Sequence, residues 1–219
     1  MQRRDFIKTL TGVGVGAALV PPCKYCADFY INKNLSPKEK LNSKIIAQMP
    51  KRIRLEACSL CQLNCPACWV RLEEEKIKKE EGFGYLKFKD FKNLVDDNPE
   101  IEEIELSNSG EIFLNPELDK IIKYAYEKKV NLFANNGVNL NTLSDEMAET
   151  LVKYNFCAMS VSIDGATPDV YKIYRRGGDL NNVIANIKKI NKYKKKYNSE
   201  NPKLVYKFII FNLKQSIDF

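Results

Sequence analysis

Three thiols stand close together at Cys61, Cys65 and Cys68, within the run Cys61-Gln62-Leu63-Asn64-Cys65-Pro66-Ala67-Cys68. In a reducing compartment such a group stays free of disulfides, and its tight spacing points to a metal site. Zinc ordinarily takes four ligands in two well-separated pairs, and Cys58/Cys61 with Cys65/Cys68 are cramped for that. Ferredoxin clusters also take four cysteines, spaced two, two and three before a Cys-Pro. Cys58, Cys61, Cys65 and Cys68 are spaced two, three and two instead. Three thiolates on a cluster leave one iron open to a ligand, which an electron carrier does not need. With Cys58 as a fourth ligand, the same loop reads as an iron–sulfur or zinc binding or electron-transfer module.

The elements that must carry this loop follow from the patterning. A chain of 219 residues, 44% hydrophobic and 29% charged, is long enough for one sizeable core. From Ile53 onward short apolar runs alternate with longer amphipathic ones, the pattern of βα units on a parallel sheet. The strands are expected at Ile53 to Ala57, Ile101 to Ser107, Val130 to Ala134, Phe156 to Ile163 and Val205 to Phe211. Helices are expected over Pro116 to Lys129 with Asn115 as N-cap, and from a Ser144 cap to about Tyr154. A short helix starts at Thr167-Pro168, and a longer one spans Asn181 to Lys196 with Val183, Ile184, Ile187 and Ile190 inward. In such folds functional groups gather on the loops at the C-terminal strand ends. The cysteine loop sits in that position.

The absence of histidine removes His-ligated zinc, a histidine general base and any Ser-His-Asp hydrolase. The net charge of +7 comes mainly from lysine runs such as Lys194-Lys195-Lys196, which read as solvated helix faces. No nucleic-acid partner is expected from them.

At Cys61, Cys65 and Cys68 the chain resembles the radical S-adenosylmethionine (AdoMet) superfamily, whose signature is Cys-x-x-x-Cys-x-x-Cys; Trp69 adds an aromatic beside it. The resemblance implies an α/β fold, a partial (β/α)6 TIM-like barrel with about five parallel strands present. It implies a [4Fe-4S] cluster on the three cysteines, with AdoMet chelated at the open iron and cleaved reductively to a 5'-deoxyadenosyl radical that abstracts hydrogen. Ser107-Asn108-Ser109-Gly110-Glu111 resembles the family's Gly-Gly-Glu segment, which places Ser109, Gly110 and Glu111 at the AdoMet amino group. Asn135-Asn136-Gly137 resembles Thr-Asn-Gly and brings in Asn136. Val161-Ser162-Ile163-Asp164-Gly165 is close to the sequence typical of the peptide-modifying, SPASM-like branch. It offers Ser162 first and Asp164 second toward the ribose. Tyr174-Arg175-Arg176-Gly177-Gly178 resembles the segment whose arginine pairs with the AdoMet carboxylate; Arg175 aligns best and Arg176 is adjacent. The implied partners are a flavodoxin- or ferredoxin-like electron donor and a peptide or protein substrate.

The resemblance covers about Arg52 to Phe211, so residues 51–219 are read as the core domain. A family core of six units would need a sixth strand, so a truncated chain, an inactive remnant, or a sheet completed by another chain are the expectations. Residues 1–26 resemble a twin-arginine export signal, from Arg3-Arg4 and the apolar stretch Leu10 to Val20. Folding and cluster insertion would then be cytoplasmic, with export or tethering following and the signal as the sole membrane contact. Cys23 and Cys26 form a close pair with no further ligands nearby. Residues 27–50 read as a polar connector with a short helix around Leu41 to Gln48.

Overall fold

In the computed structural model residues 50–80 and 82–210 are described. The signal-like segment, the Cys23/Cys26 pair, nearly all of the connector and the end of the fifth strand at Phe211 lie outside them. The described residues belong to one unit, Pro50–Phe219. Its strands are β1 (Arg52–Arg54), β2 (Glu103–Glu105), β3 (Asn131–Val138), β4 (Ala158–Ser162) and β5 (Lys203–Lys207). They form one sheet in sequence order with every neighbouring pair parallel, as the alternation of runs predicts.

The helices are α1 (Trp69–Leu72), α2 (Glu74–Glu80), α3 (Phe88–Asp97), α4 (Leu118–Glu127), α5 (Asp145–Lys153), α6 (Pro168–Tyr174) and α7 (Leu180–Tyr197), with a 3-10 turn at Ile112–Leu114. Period-2 alternation divides the sheet into two faces. Ile104, Leu106, Leu132, Ala134, Met159 and Val161 are fully or almost fully buried in one core with Ile121, Leu151 and Ile190 of the helices. The alternate residues, Glu103, Glu105, Asn135, Ser160 and Ser162, are polar. The sheet thus packs its helices on one side and turns a polar face to the other.

Ser144 and Thr167 cap α5 and α6 as expected, accepting from the Met147 and Val170 amides. Other expectations are corrected. The first two strands are shorter than their apolar runs, because Leu55, Ala57 and Leu106 leave regular pairing while still bonding across strands. The third extends to Val138 through an irregularity between Ala134 and Val138. The fifth begins at Lys203, ahead of Val205. Asn115 is not the N-cap of α4. It spends its Nδ2 on the Ala57 and Leu86 carbonyls, and its Oδ1 accepts from the Glu117 amide. Ile184 is 40% exposed, because the buried stripe of α7 is rotated toward Asn186, whose amide donates to the Leu140 carbonyl at 2.9 Å. At the sheet edge, Val205 and Tyr206 of β5 are more than half exposed.

Replacing Ile190 by Ala should cost about 2–5 kcal/mol in urea unfolding, the range for a buried aliphatic truncation. Ile184→Ala should cost under about 1 kcal/mol, as exposed sites do. Equal losses would place both residues in the core.

Candidate functional site

The cysteine loop leaves β1 and is gripped by the ends of the strands that follow. The Ala57 amide donates to the Leu106 carbonyl at 3.1 Å, the Glu111 amide to Leu60 at 2.8 Å, and the Asn64 amide to Arg176 at 2.8 Å. Gly110 makes the second of these contacts possible. A Cβ there would stand 2.1 Å from the Cys58 carbonyl oxygen and 2.5 Å from that of Leu60. The glycine serves a close approach of backbone to backbone, between the second strand's loop and the cysteine loop.

Cys61 feels the charge of Cys65 and Cys68, and Cys65 that of Cys68. Burial first, then the neighbouring Glu111 and the other two thiols, push Cys61 up to about 11. Cys65 is also raised by burial, against the pull of Arg175. Such thiols stay protonated at neutral pH, and binding a metal is what would release their protons. Among the described residues no group of three Cys, Asp or Glu side chains is set to hold a single metal ion. A cubane takes one thiolate per iron at separate corners, so it does not require its ligands to converge on one point. Cys58 is fully buried, and its thiol lies 3.8 Å from the Leu60 carbonyl. The charges that bear on it are those of Glu56 and Glu111.

Glu111 lies beside this loop, 1% exposed. Its Oε2 accepts from the Asn139 amide at 2.6 Å, whereas Oε1 is buried with no partner. Burial pushes its carboxyl up to about 7, against the pull of the Asn139 amide. An unpartnered buried carboxylate oxygen is costly, and a cationic donor would relieve it. The donor set therefore fits a cluster on three thiolates with an ammonium-bearing ligand beside Glu111.

Arg175 comes from the end of α6. Its Nε donates to Asp164 Oδ2 at 2.6 Å in an ion pair, and another guanidinium nitrogen reaches Cys65 Sγ at 3.9 Å. Asp164 Oδ1 accepts from the Ile209 amide at 2.8 Å. Asp164 thus accepts at both oxygens within the protein. Arg175 is committed to Asp164 and the thiol, whereas Arg176 is exposed and meets the cysteine loop through its carbonyl. Ser162 is buried, and its Oγ lies 3.0 Å from where a Cβ on Gly137 would stand. Gly137, at φ 132°, suits both that approach and its backbone. Asn136 is exposed and donates to Asn108 Oδ1 at 3.2 Å. Ser109 and Gly110 meet Glu56, whose carboxyl is raised chiefly by burial and lowered in part by their hydrogen bonds.

Residues that sequence reasoning passed over complete the site. Asn139 joins the Glu111 carboxylate through its amide and Cys61 Sγ through Nδ2 at 3.6 Å. It also exchanges side-chain hydrogen bonds with Gln62 at 3.0 and 3.2 Å. Asn141 and Tyr171 bond at 2.8 Å beneath. Gln62 stands between two cysteines, and Asn139 in an asparagine-rich run; only those placements signalled them.

Cys58→Ala should retain reconstituted iron while Cys61→Ala loses it, measured by iron content and visible absorption. Glu111 should also set a pH dependence in the ligand-free protein. Its folded carboxyl binds a proton up to about 7 while the unfolded one releases it near 4.5. Stability should therefore fall as pH rises through that window, because charging then costs more in the folded state. Melting curves of Glu111→Gln against the parent should diverge there; parallel curves would refute the burial effect.

The model of the family described as the radical SAM superfamily matches residues 55–201. GTP 3',8-cyclase of Clostridium botulinum is 26% identical over 140 residues, covering 63% of this chain and 42% of that protein. The chain thus spans less than half the length of the curated relatives it matches. Among solved structures, Streptococcus suis SuiB bound to precursor peptide SuiA is similar with a TM-score of 0.54 and 15% identity, covering 87% of this chain and 42% of that one. That likeness concerns the fold. With most of the described residues inside the family match, and its three cysteines in the matched stretch, the chain belongs to the radical SAM superfamily.

Proposed function

We propose that this chain is a radical AdoMet enzyme in which Cys61, Cys65 and Cys68 hold a [4Fe-4S] cluster and Glu111 receives the AdoMet amino group. The observation that carries this is the buried, unpartnered Oε1 of Glu111 beside the three coupled thiols. When bound, the cluster and AdoMet supply one-electron reductive cleavage to a 5'-deoxyadenosyl radical. The chain's own part is positioning. Gly110 lets the Glu111 segment meet the cysteine loop, Asn139 orients the Glu111 carboxylate, and Arg175 offsets negative charge at Cys65 while Asp164 holds its guanidinium. Ser109 is assigned with Glu111 to the AdoMet amino group, and Asn136, Ser162 and Asp164, at the strand ends, to the rest of AdoMet.

A peptide or protein substrate is part of this proposal. It is supported by the likeness of Val161 to Gly165 to the peptide-modifying branch; the SuiB structure named with its precursor peptide shares the fold. A low-potential flavodoxin- or ferredoxin-like donor would supply the electron. Folding and cluster insertion in the cytoplasm, ahead of twin-arginine export, complete the proposal.

Anaerobic reconstitution with iron and sulfide, followed by dithionite and AdoMet, should yield 5'-deoxyadenosine. Glu111→Gln should weaken AdoMet binding about 10- to 100-fold, the loss expected for a charge-assisted hydrogen bond. A fully loaded cluster that yields no 5'-deoxyadenosine would sink the enzyme reading.

A further inference from the structure

The polar face of the sheet carries a pocket of which the AdoMet assignment uses only Asn136. It has a volume of about 310 Å³, and Arg54, Glu105, Phe133, Asn135 and Asn136 are among its walls. That size lies at the lower end for small-ligand sites, enough for one substituent of a larger molecule.

The charges there do not cancel as the strand register would have them. Register sets Arg52 opposite Glu103 and Arg54 opposite Glu105. Arg52 and Glu103 form the ion pair that this predicts. Glu105 instead turns to the backbone. Its Oε1 accepts from the Ser107 amide at 3.1 Å and hydroxyl at 2.7 Å, and both oxygens accept from the Asn135 amide at 3.0 and 2.9 Å. Only 9% exposed, Glu105 turns its carboxylate to fastening the end of β2 to β3. Among the described residues Arg54, which is exposed, is left with no ion-pair partner, and no protein group takes its guanidinium donors.

The surroundings extend this. Asn135 and Asn136 bring side-chain amides, and Phe133 brings a ring to the same wall. Lys207 of β5 donates to the Asn136 carbonyl at 3.2 Å, which ties this stretch of β3 to β5. Asn136 also bonds to Asn108, so the pocket adjoins the loop that carries Glu111. A planar guanidinium fork with no protein partner recognises carboxylate or phosphate oxygens in bidentate fashion.

We propose that this pocket is a subsite for an anionic group of the substrate, a carboxylate or a phosphate, held by Arg54. The word substrate rests on the function proposed above; the anion binding does not.

Calorimetric titration of the reconstituted full chain with AdoMet present and no reductant, using pyrophosphate and, separately, succinate, tests it. At least one anion should bind, more weakly at higher salt. Arg54→Gln should reduce that affinity tenfold or more, and Arg54→Lys should fall between, since an ammonium keeps the charge but loses the fork. Pyrophosphate binding alone assigns a phosphate group, and succinate binding alone a carboxylate. Iron content and AdoMet binding should be unchanged in both variants; if Arg54→Gln loses its cluster, the tenfold criterion passes to Arg54→Ala and the intermediate to Arg54→Lys. Failure of both anions to bind, or equal affinity in the parent and the variants, overturns the subsite. Arg54-dependent binding in a protein that makes no 5'-deoxyadenosine would overturn the proposed function and leave the subsite standing.

Discussion

The site depends on one backbone contact, the Glu111 amide donating to the Leu60 carbonyl at 2.8 Å across a gap that only glycine at position 110 leaves open. It joins the loop after β2 to the loop after β1. Because the contact is made by the main chain, it fixes where Cys61 leaves the loop and where the Glu111 side chain enters the interior. Asn139 then bonds both residues from the end of β3, and Arg176 holds the Asn64 amide from beyond β4. Four successive βα units thus converge on one short loop. A parallel sheet places their connections at the same edge, which is why the convergence needs no long excursions of chain.

That geometry concentrates like charges. Burial makes Glu111, Cys61 and Cys65 harder to ionise, and at Cys61 the charges of Glu111 and of the other two thiols add to the effect. In the ligand-free protein the groups favour their neutral forms, and the positive charge of iron and of an ammonium would reverse that preference. Arg175 is the protein's own countercharge, and the Asp164 carboxylate keeps it aimed at Cys65. Glu105 shows the opposite solution for an inward acid. It satisfies its oxygens with amides and a hydroxyl, leaving Arg54 across the strand with donors to spare.

Much of the fold is legible because period-2 and helical patterns are set by burial against one core. The helix caps at Ser144 and Thr167 were equally plain, since each is a local bond between a side chain and an amide nearby in sequence. Asn115 looked like a third cap and was not, because α4 begins only at Leu118 with Glu117 ahead of it, and Asn115 is held before the helix by the remote Ala57 carbonyl. Ile184 looked like core for a similar reason. A run of apolar residues gives the width of a helix stripe but not its rotation, and Asn186 claimed the side that Leu140 faces.

The chemistry available is written in the residue order: three thiols at a spacing suited to a cluster, an acid after a glycine, and an alternation of strands and helices that puts both at one edge. Tertiary structure alone decided how those groups are shared out. It committed Asp164 to Arg175, left Oε1 of Glu111 without a partner, brought Asn139 to the cysteine loop, and withdrew Glu105 from Arg54. The physical reason is that residue type fixes what a side chain can donate or accept. Which partner it meets depends on contacts between residues remote in sequence, and no local pattern encodes them.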